Sequence, residues 1–240
     1  MLTETRVAPP ARALFKRPKE IVYPESDGKP LAETDIHFTA IAALIALLRR
    51  HYATRNDVYV AGCNFVYYKE GDNKARFSPD AYVVFGVDSA KRRSYFLWKE
   101  QHPPAVVFEF TSRKTKKVDA TTKKELCASL GVKEYFLCDP ETAYLKPPLQ
   151  GYRLKGGMYQ PIKSTSDGRV HCQELGVMMR LENRYLALYD AVTGERILSA
   201  EESERAEASR ARSEAERAHR AEAEIVLLRA ELDRLKNPTT

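Results

Sequence analysis

Cysteine is scarce in this chain of 240 residues, which carries only Cys63, Cys127, Cys138 and Cys172. No two of them form a C-x-x-C pair, so the sequence indicates neither a disulfide framework nor a zinc site. Each has apolar or strand-like neighbours in the sequence. We therefore expect buried, reduced thiols, which are typical of a cytoplasmic protein.

Long hydrophobic runs are also missing. The longest, Phe38 to Leu48, is shorter than the roughly 18 residues that suggest a membrane span, and it leads into Arg49-Arg50-His51. The N-terminus contains Pro9-Pro10 and scattered arginines but no apolar signal core. These absences predict that the protein has no membrane partner.

Several common catalytic motifs are absent. The chain has no G-x-S-x-G, no H-E-x-x-H, no Walker-type glycine loop and no dinucleotide fingerprint. Its five histidines follow no ligand spacing, and we expect them to be structural or surface residues: His37, His51, His102, His171 and His219. Serine hydrolase, zinc protease and nucleotide-binding chemistry are therefore not indicated.

Charge is present in both signs but is unevenly distributed. The formal net charge is +6, whereas residues 200–240 hold 8 basic and 10 acidic side chains, a net of −2. Residues 1–199 therefore carry 6 − (−2) = +8. A basic globular part is compatible with a polyanionic partner, although solubility explains the same charge equally well.

The sequence divides into three parts. Residues 1–20 are predicted to form a flexible arm, residues 21–199 an α/β domain, and residues 200–240 a helical tail rich in Ala, Glu and Arg. Apolar residues at helical spacing predict a helix from His37 to His51, with Thr34 or Asp35 as its N-cap.

Strand patterns follow this helix. Val58 to Tyr68 and Phe77 to Val87 are predicted strands, and a loop is expected from Asp88 to Pro103. Ala105 to Phe110 is a continuous apolar run around one glutamate, as expected for a strand buried on both faces. A β-rich extension is predicted from Tyr144 to Leu198.

A strand-helix-strand unit is predicted around the run from Ala105 to Phe110. Asp119 to Leu130 is predicted to be a helix that ends at Gly131, and Lys133 to Cys138 is the next strand. Such a unit is expected to form a right-handed parallel crossover.

The tail contains a heptad pattern. Its apolar positions are Ala218, Ala221, Ile225, Leu228, Leu232 and Leu235. Such a seam predicts a coiled coil, and hence a homo-oligomer. The alternative is a single solvated helix stabilised by pairs of Glu and Arg.

Two carboxylates border or interrupt the predicted strands. Asp80 follows Pro79 at the start of one strand, and Glu109 lies near the end of the next long strand. If the strands pair, the two side chains converge and repel each other unless a cation lies between them. Mg²⁺, with Mn²⁺ as a substitute, suits two carboxylates, waters and a backbone carbonyl, for which Phe110 is the candidate. Alternatively, Asp80 is a turn residue and Glu109 forms a salt bridge.

Basic residues follow Glu109. Lys123 is one turn after Asp119, where it could orient a water and neutralise charge at phosphorus, or simply pair with Asp119. The other basic residues could contact phosphates or form a solvated loop: Arg113, Lys114, Lys116 and Lys117.

These motifs, taken in order, resemble a known family. The pattern P-D…F-E-F-T-S-x-x-T-x-x-x-D-x-x-x-K…G-V-K-E-Y-F-L-C-D-P is similar to that of the Uma-type family, restriction-endonuclease-like proteins of the PD-(D/E)XK nuclease superfamily. Upstream, Ala32-Glu33-Thr34-Asp35-x-His37 resembles the opening of one subgroup. The resemblance covers about residues 20–236.

The resemblance implies a fold, roles for residues and a substrate. The fold would be a restriction-endonuclease-like core, a mixed sheet flanked by helices in αβββαβ order. Asp80 and Glu109 would hold Mg²⁺, Lys123 would be the catalytic lysine, and Glu33 an outer carboxylate. The superfamily's (D/E)-x-K would place lysine at position 111, which here is Thr111.

Two functions follow as expectations. The first is a metal-dependent endonuclease that hydrolyses phosphodiester bonds of DNA. The second is a catalytically inactive DNA-binding or assembly module that keeps the nuclease fold and oligomerises through its C-terminal helix.

Overall fold

The computed structural model describes residues 21–26, 28 and 34–236, apart from the side chains of residues 234 and 235. The predicted arm, residues 1–20, and the candidate carboxylate Glu33 lie outside the described residues. Helical elements in chain order are α1 (Asp35–His51), α2 (Leu97–Glu100), α3 (Lys116–Val118), a π-helix (Asp119–Lys123), α4 (Lys124–Ser129) and α5 (Ala200–Lys236).

The strands form one large and two small sheets. In chain order they are β1 (Val58–Ala61), β2 (Phe65–Tyr67), β3 (Arg76–Phe77), β4 (Ala81–Phe85), β5 (Ser94–Phe96), β6 (Val106–Phe110), β7 (Glu134–Cys138), β8 (Leu149–Lys155), β9 (Met158–Ile162), β10 (Val170–Cys172), β11 (Val177–Glu182) and β12 (Tyr185–Asp190).

The large sheet has six strands in the order β1-β4-β6-β7-β8-β9. Strands β6 and β7 run parallel, and the other neighbouring pairs are antiparallel. The chain between β6 and β7 passes through α3, the π-helix and α4, so the predicted parallel connection through a helix is present. The mixed α/β class is therefore confirmed, with strands β8 and β9 extending the sheet.

Helix α1 packs on one face of this sheet. Its N-cap is Thr34, whose hydroxyl accepts a hydrogen bond from the backbone N–H of His37 at 3.3 Å. Ile41, Leu44 and Leu48 recur at helical spacing and are buried against a cluster that includes Phe108 of β6. The helix therefore forms where the sequence predicts it, two residues longer at its start.

The opposite face of the sheet is covered by the segment from α3 to α4. Val107 of β6 and Tyr135 of β7 point to this side, where they join Cys127 of α4 in a second buried cluster. The alternation along β6 assigns Glu109 to the same face as Val107. The side chain of Glu109 therefore points towards the helical segment that carries Lys123.

Two predicted strands are wrong, because each is divided between two sheets. Gly62, Cys63 and Asn64 separate β1 from β2, and Cys63 has a positive φ of 58°. Strand β2 pairs with β3 and β5 in a separate sheet, so Phe77 belongs to that sheet, whereas β4 belongs to the large one. Cys63 is also exposed, unlike the buried thiol that we expected.

The predicted loop from Asp88 to Pro103 contains strand β5 and the short helix α2, so that prediction is wrong in part. The β-rich extension is present: β8 and β9 join the large sheet, and β10, β11 and β12 form a sheet of their own. Glu134 links these parts, because its buried carboxylate accepts hydrogen bonds from Arg153 of β8, the Cys172 thiol of β10 and the N–H of Gln173.

Helix α5 extends away from the sheets over 37 residues. Its described side chains are exposed from Glu207 to Asp233. In the ranges that the structure describes, no helix is both long enough and apolar enough to cross a membrane.

Gly62 allows the chain to pass close to Asp80. A Cβ at residue 62 would overlap the carbonyl oxygen of Asp80 and would lie 2.7 Å from Cδ1 of Ile45. We expect Gly62→Ala to destabilise the protein by about 1–3 kcal/mol, because a backbone carbonyl must move to admit the methyl group. Urea unfolding monitored by circular dichroism measures this change.

The control for this prediction is Gly71→Ala, where a Cβ would meet nothing within 4 Å and only the positive φ of 81° is strained. Strain of this kind costs on the order of 1 kcal/mol. An unchanged unfolding midpoint for Gly62→Ala would contradict the predicted overlap.

Candidate active site

The end of β6 brings two predicted site residues together. In the antiparallel register of β4 and β6, Ala81 is opposite Phe108, so the next residues outward are Asp80 and Glu109. Residues directly opposite in such a pair lie on the same face. The Asp80 carboxylate also accepts a hydrogen bond from the N–H of Phe110 at 2.7 Å, which fixes it beside the end of β6.

Lys123 reaches the same place from the helical segment. Its Nζ lies 2.7 Å from Oε2 of Glu109 and 3.2 Å from Oδ1 of Asp119. Glu109 is fully buried, and Asp119 is 1% exposed. The structure thus contains the two structural alternatives that the sequence left open: Asp119 and Lys123 form an i,i+4 pair, and Glu109 forms a salt bridge with the same lysine.

A π-helical turn carries both of these helix residues. Asp119–Lys123 is π-helical between α3 and α4, so the predicted regular helix from Asp119 is wrong in its first turn. The Tyr135 hydroxyl donates a hydrogen bond to the carbonyl oxygen of Asp119 at 2.8 Å. A single π turn within a helix often marks a functional site.

Burial dominates the electrostatics of this site. It raises the pKa of Glu109 well above its ordinary value; Lys123 opposes that rise, and the charges of Asp80 and Asp119 add to it. Burial also raises the pKa of Asp119. For Lys123, burial lowers the pKa, but the neighbouring carboxylates outweigh it and the net pKa is raised. The lysine therefore remains protonated, while Glu109 takes up a proton more readily than an ordinary carboxyl group.

The donor atoms of the site suit a hard cation. Oε1 of Glu109 is buried and has no hydrogen-bond partner among the described residues, and the same holds for Oγ1 of Thr111. Three carboxylates, from Asp80, Glu109 and Asp119, face the single lysine Lys123. Because a buried charge needs a partner, the remaining negative charge favours a bound cation with oxygen ligands.

The number of side-chain ligands is small. Within residues 21–26, 28 and 34–236, no group of three or more His, Cys, Asp or Glu side chains is arranged to hold a metal ion. The residues fit the sequence-based expectation of two carboxylates completed by waters and a backbone carbonyl, which Mg²⁺ tolerates. Phe110, the candidate for that carbonyl, is held in the site through its N–H bond to Asp80.

His37 is a site residue that the sequence analysis missed. Its Nε2 lies 3.6 Å from Oδ2 of Asp80, its ring contacts Phe110 edge-on with ring centres 6.3 Å apart, and it is 7% exposed. We expected a structural or surface role. The only signal for a site role was its place in the segment, opened by Ala32-Glu33, that resembles one subgroup of the family.

The predicted phosphate-binding residues lie beside the buried carboxylates but on the surface. All four of these side chains are exposed: Arg113, Lys114, Lys116 and Lys117. Lys116 and Lys117 form the first two residues of α3, directly before the π-helix. Exposure leaves these cations accessible to a polyanion.

A second basic surface was not predicted from the sequence. A groove of about 500 Å³ follows the edge strand β1 and is lined by residues that include the basic side chains Arg49, Arg55, Lys91 and Arg92. Gly62, which packs against the carbonyl of Asp80, also lines it. The basic side chains come from three separate parts of the chain, so only the fold brings them together.

A mixed α/β fold with a lysine and carboxylates at one end of a central strand is the geometry expected of a nuclease-like protein. The sequence model of the Uma2 family, described as "Putative restriction endonuclease", matches residues 13–182. The chain belongs to this family. The match ends at Glu182, so the last β-strand, α5 and the C-terminus lie outside it.

Other comparisons add little. A search of curated proteins finds no match. The chain is similar to a crystal structure from Anabaena variabilis described as a "putative nuclease belonging to DUF820", with a TM-score of 0.44 and 13% identity over 59% of this chain and 74% of that one. A likeness this weak carries no argument about the site.

The buried pair yields a prediction about stability and pH. Lys123→Met leaves Glu109 buried without its cation, so we expect a loss of about 3–5 kcal/mol at pH 8. The pKa of Glu109, already raised, rises further in this variant. The carboxyl group is then protonated in the folded state at low pH, and the loss shrinks as the pH falls towards the pKa of an unfolded glutamate.

Urea unfolding at pH 5 and pH 8 measures both effects. Lys117→Met, an exposed lysine in the same helical segment, is the matched control and should change stability little at either pH. A loss for Lys123→Met that does not depend on pH would show that Glu109 is not the group left unpaired.

Proposed function

We propose that this protein is a metal-dependent endonuclease that hydrolyses phosphodiester bonds of DNA. The observation that carries the proposal is the site at the end of β6. There the Asp80 carboxylate accepts a hydrogen bond from the N–H of Phe110, the residue after Glu109, and Lys123 contacts Glu109 at 2.7 Å. Membership of the Uma2 family supports the nuclease class. As part of the same proposal, the six-stranded sheet and its helices form a restriction-endonuclease-like core in αβββαβ order.

Each residue has a role in this proposal. Asp80, Glu109 and the carbonyl of Phe110 would hold Mg²⁺, or Mn²⁺ as a substitute, and when bound the metal supplies charge neutralisation and an activated water. Lys123 holds its positive charge beside Glu109, where it can stabilise negative charge on a scissile phosphate. Glu33 stays a proposed outer carboxylate, since it lies outside the described residues.

The basic surfaces supply the substrate contacts. Arg113, Lys114, Lys116 and Lys117 would bind phosphates on one side of the site. The groove along β1 would offer Arg49 and Lys91 as further cations, because Arg55 and Arg92 are paired with Asp57 and Glu100. Phosphate contacts of this kind are independent of base sequence, so they position DNA without selecting a target.

A second function is favoured by one observation. Thr111 occupies the position of the superfamily's usual lysine, and Lys123 is already engaged by Glu109 and Asp119. A structural ion pair of this kind fits a DNA-binding or assembly module that lacks turnover. Salt-dependent DNA binding without cleavage under Mg²⁺ or Mn²⁺ would identify this function.

Cleavage of supercoiled plasmid tests the carboxylates. We expect Asp80→Asn and Glu109→Gln each to lower the rate of Mg²⁺-dependent nicking by at least about a hundredfold, because each removes a ligand charge from the site. The rate is measured on gels at several Mg²⁺ and Mn²⁺ concentrations. Glu70→Gln, an exposed carboxylate outside the site, is the matched control. Equal nicking by all four proteins would mean a contaminant or a wrong site.

The salt dependence of DNA binding tests the basic residues. We expect Lys116→Ala and Lys117→Ala each to weaken binding to a duplex of any sequence and to reduce the slope of log K against log[salt] by about 1. Fluorescence anisotropy between low and physiological salt measures the slope. Lys163→Ala, an exposed lysine after β9, should leave it unchanged. A slope that both α3 variants retain would remove these lysines from the proposed interface.

A further inference from the structure

Helix α5 carries an apolar surface that no other residue in the described part of the chain covers. Ile225, Leu228 and Leu232 are 47%, 57% and 50% exposed, and the described side chains from Glu207 to Asp233 are all exposed. Among the side chains of this helix that the structure describes, two ion pairs have i,i+4 spacing, Glu201–Arg205 at 3.6 Å and Glu216–Arg220 at 4.0 Å. Local charge pairs of this strength stabilise a solvated helix weakly.

The last part of α5 has the residue types of a two-stranded coiled coil. With Ile225 at heptad position a, the a residues are Ala218, Ile225 and Leu232, and the d residues are Ala221, Leu228 and Leu235. A β-branched residue at a with leucine at d favours parallel dimers over larger assemblies. Ile225 at position a and Leu228 at position d provide this combination.

The flanking charges select the orientation. The g residues are Arg217, Glu224 and Glu231, and the e residues are Glu222, Arg229 and Lys236. In a parallel pair in register, each g residue faces the e residue that comes five positions later in the partner helix. The three resulting pairs are Arg217 with Glu222, Glu224 with Arg229, and Glu231 with Lys236, and each joins opposite charges.

An antiparallel pair would be less favourable. In that arrangement g faces g and e faces e, so with residues 217–236 fully overlapped Glu224 would meet Glu224 and Arg229 would meet Arg229 of the partner helix. Opposite charges would remain in the outer pairs, Arg217 with Glu231 and Glu222 with Lys236. Like charges in such positions destabilise the pair. The charge pattern therefore distinguishes the two orientations, which the apolar seam alone does not.

We propose that α5 docks on α5 of a second copy of this chain as a parallel, in-register, two-stranded coiled coil that spans residues 217–236. The parallel orientation places the two globular parts at the same end of the coil. An antiparallel pair over the same residues would separate the starts of the two helices by about 80 Å, because each helix has 17 residues before residue 217. The inference does not depend on the proposed nuclease activity, because it concerns only mass in solution.

Charge reversal in the full-length protein tests the orientation. Sedimentation equilibrium of the wild type should show a reversible dimer. Glu224→Arg alone and Arg229→Glu alone should each weaken the dimer about tenfold or more, since each converts two symmetric attractions into repulsions. An equimolar mixture of the two variants should restore association, because in the mixed pair both contacts join opposite charges again.

The mixture also controls for helix stability. A substitution that only destabilised its own helix would weaken association in the mixture as much as alone, because mixing changes no contact within a chain. Asp233→Arg makes the same change in charge at position b, outside the seam, and should leave the dimer intact. A monomeric wild type would overturn the proposal, as would a Glu224→Arg variant that dimerises as well as the wild type or better. An undiminished dimer after deletion of residues 200–240 would also overturn it.

Discussion

The contact between Glu109 and Lys123 is the constraint on which the candidate site depends. A carboxylate with no exposed surface, placed in the middle of a sheet, loses its hydration at a cost of several kcal/mol. One lysine at 2.7 Å offsets part of that cost. It cannot offset all of it, because Asp119 shares the same ammonium group and Asp80 adds a third negative charge nearby. The site therefore either takes up a proton, in keeping with the raised pKa of Glu109, or is neutralised by a further cation.

Rigid elements hold each group of the site in position. Glu109 belongs to a central strand that is paired on both sides, and Asp80 is fixed by the N–H of the residue that follows Glu109. Lys123 belongs to a helical segment whose π turn is bonded to the buried Tyr135 hydroxyl. The contribution of α1 is His37, which reaches Asp80 from the opposite face of the sheet. A site built this way has little freedom to adjust, which is what preorganised electrostatic catalysis requires.

The sequence predicted the parts of this arrangement that follow from hydrophobic periodicity. Strand β6 is a continuous apolar run with one glutamate, and α1 has a clear cap and a regular apolar face, so both were located within two residues. The breaks at Gly62 and Pro79 were missed because each predicted strand was drawn through a short interruption, Gly62-Cys63-Asn64 or Ser78-Pro79-Asp80, between two apolar runs. Only the tertiary contact between Gly62 and the carbonyl of Asp80 explains why the chain turns there. The π turn and the role of His37 were missed for a related reason: both depend on what faces them in space.

The presence of Thr111 instead of lysine has a spatial explanation. Its N–H bonds to the carbonyl oxygen of Cys138 at 2.7 Å, so residue 111 continues the parallel ladder one step beyond β6. Side chains two positions apart along a strand share a face, so residue 111 lies on the same side of the sheet as Glu109. That face is the one covered by α3, the π-helix and α4. A lysine at position 111 and a lysine at position 123 would therefore approach Glu109 from the same layer of the molecule, one from the strand and one from the helix. Thr111 is buried, and under the proposed function the ammonium group of Lys123 would take the place of the one that a lysine at position 111 would supply.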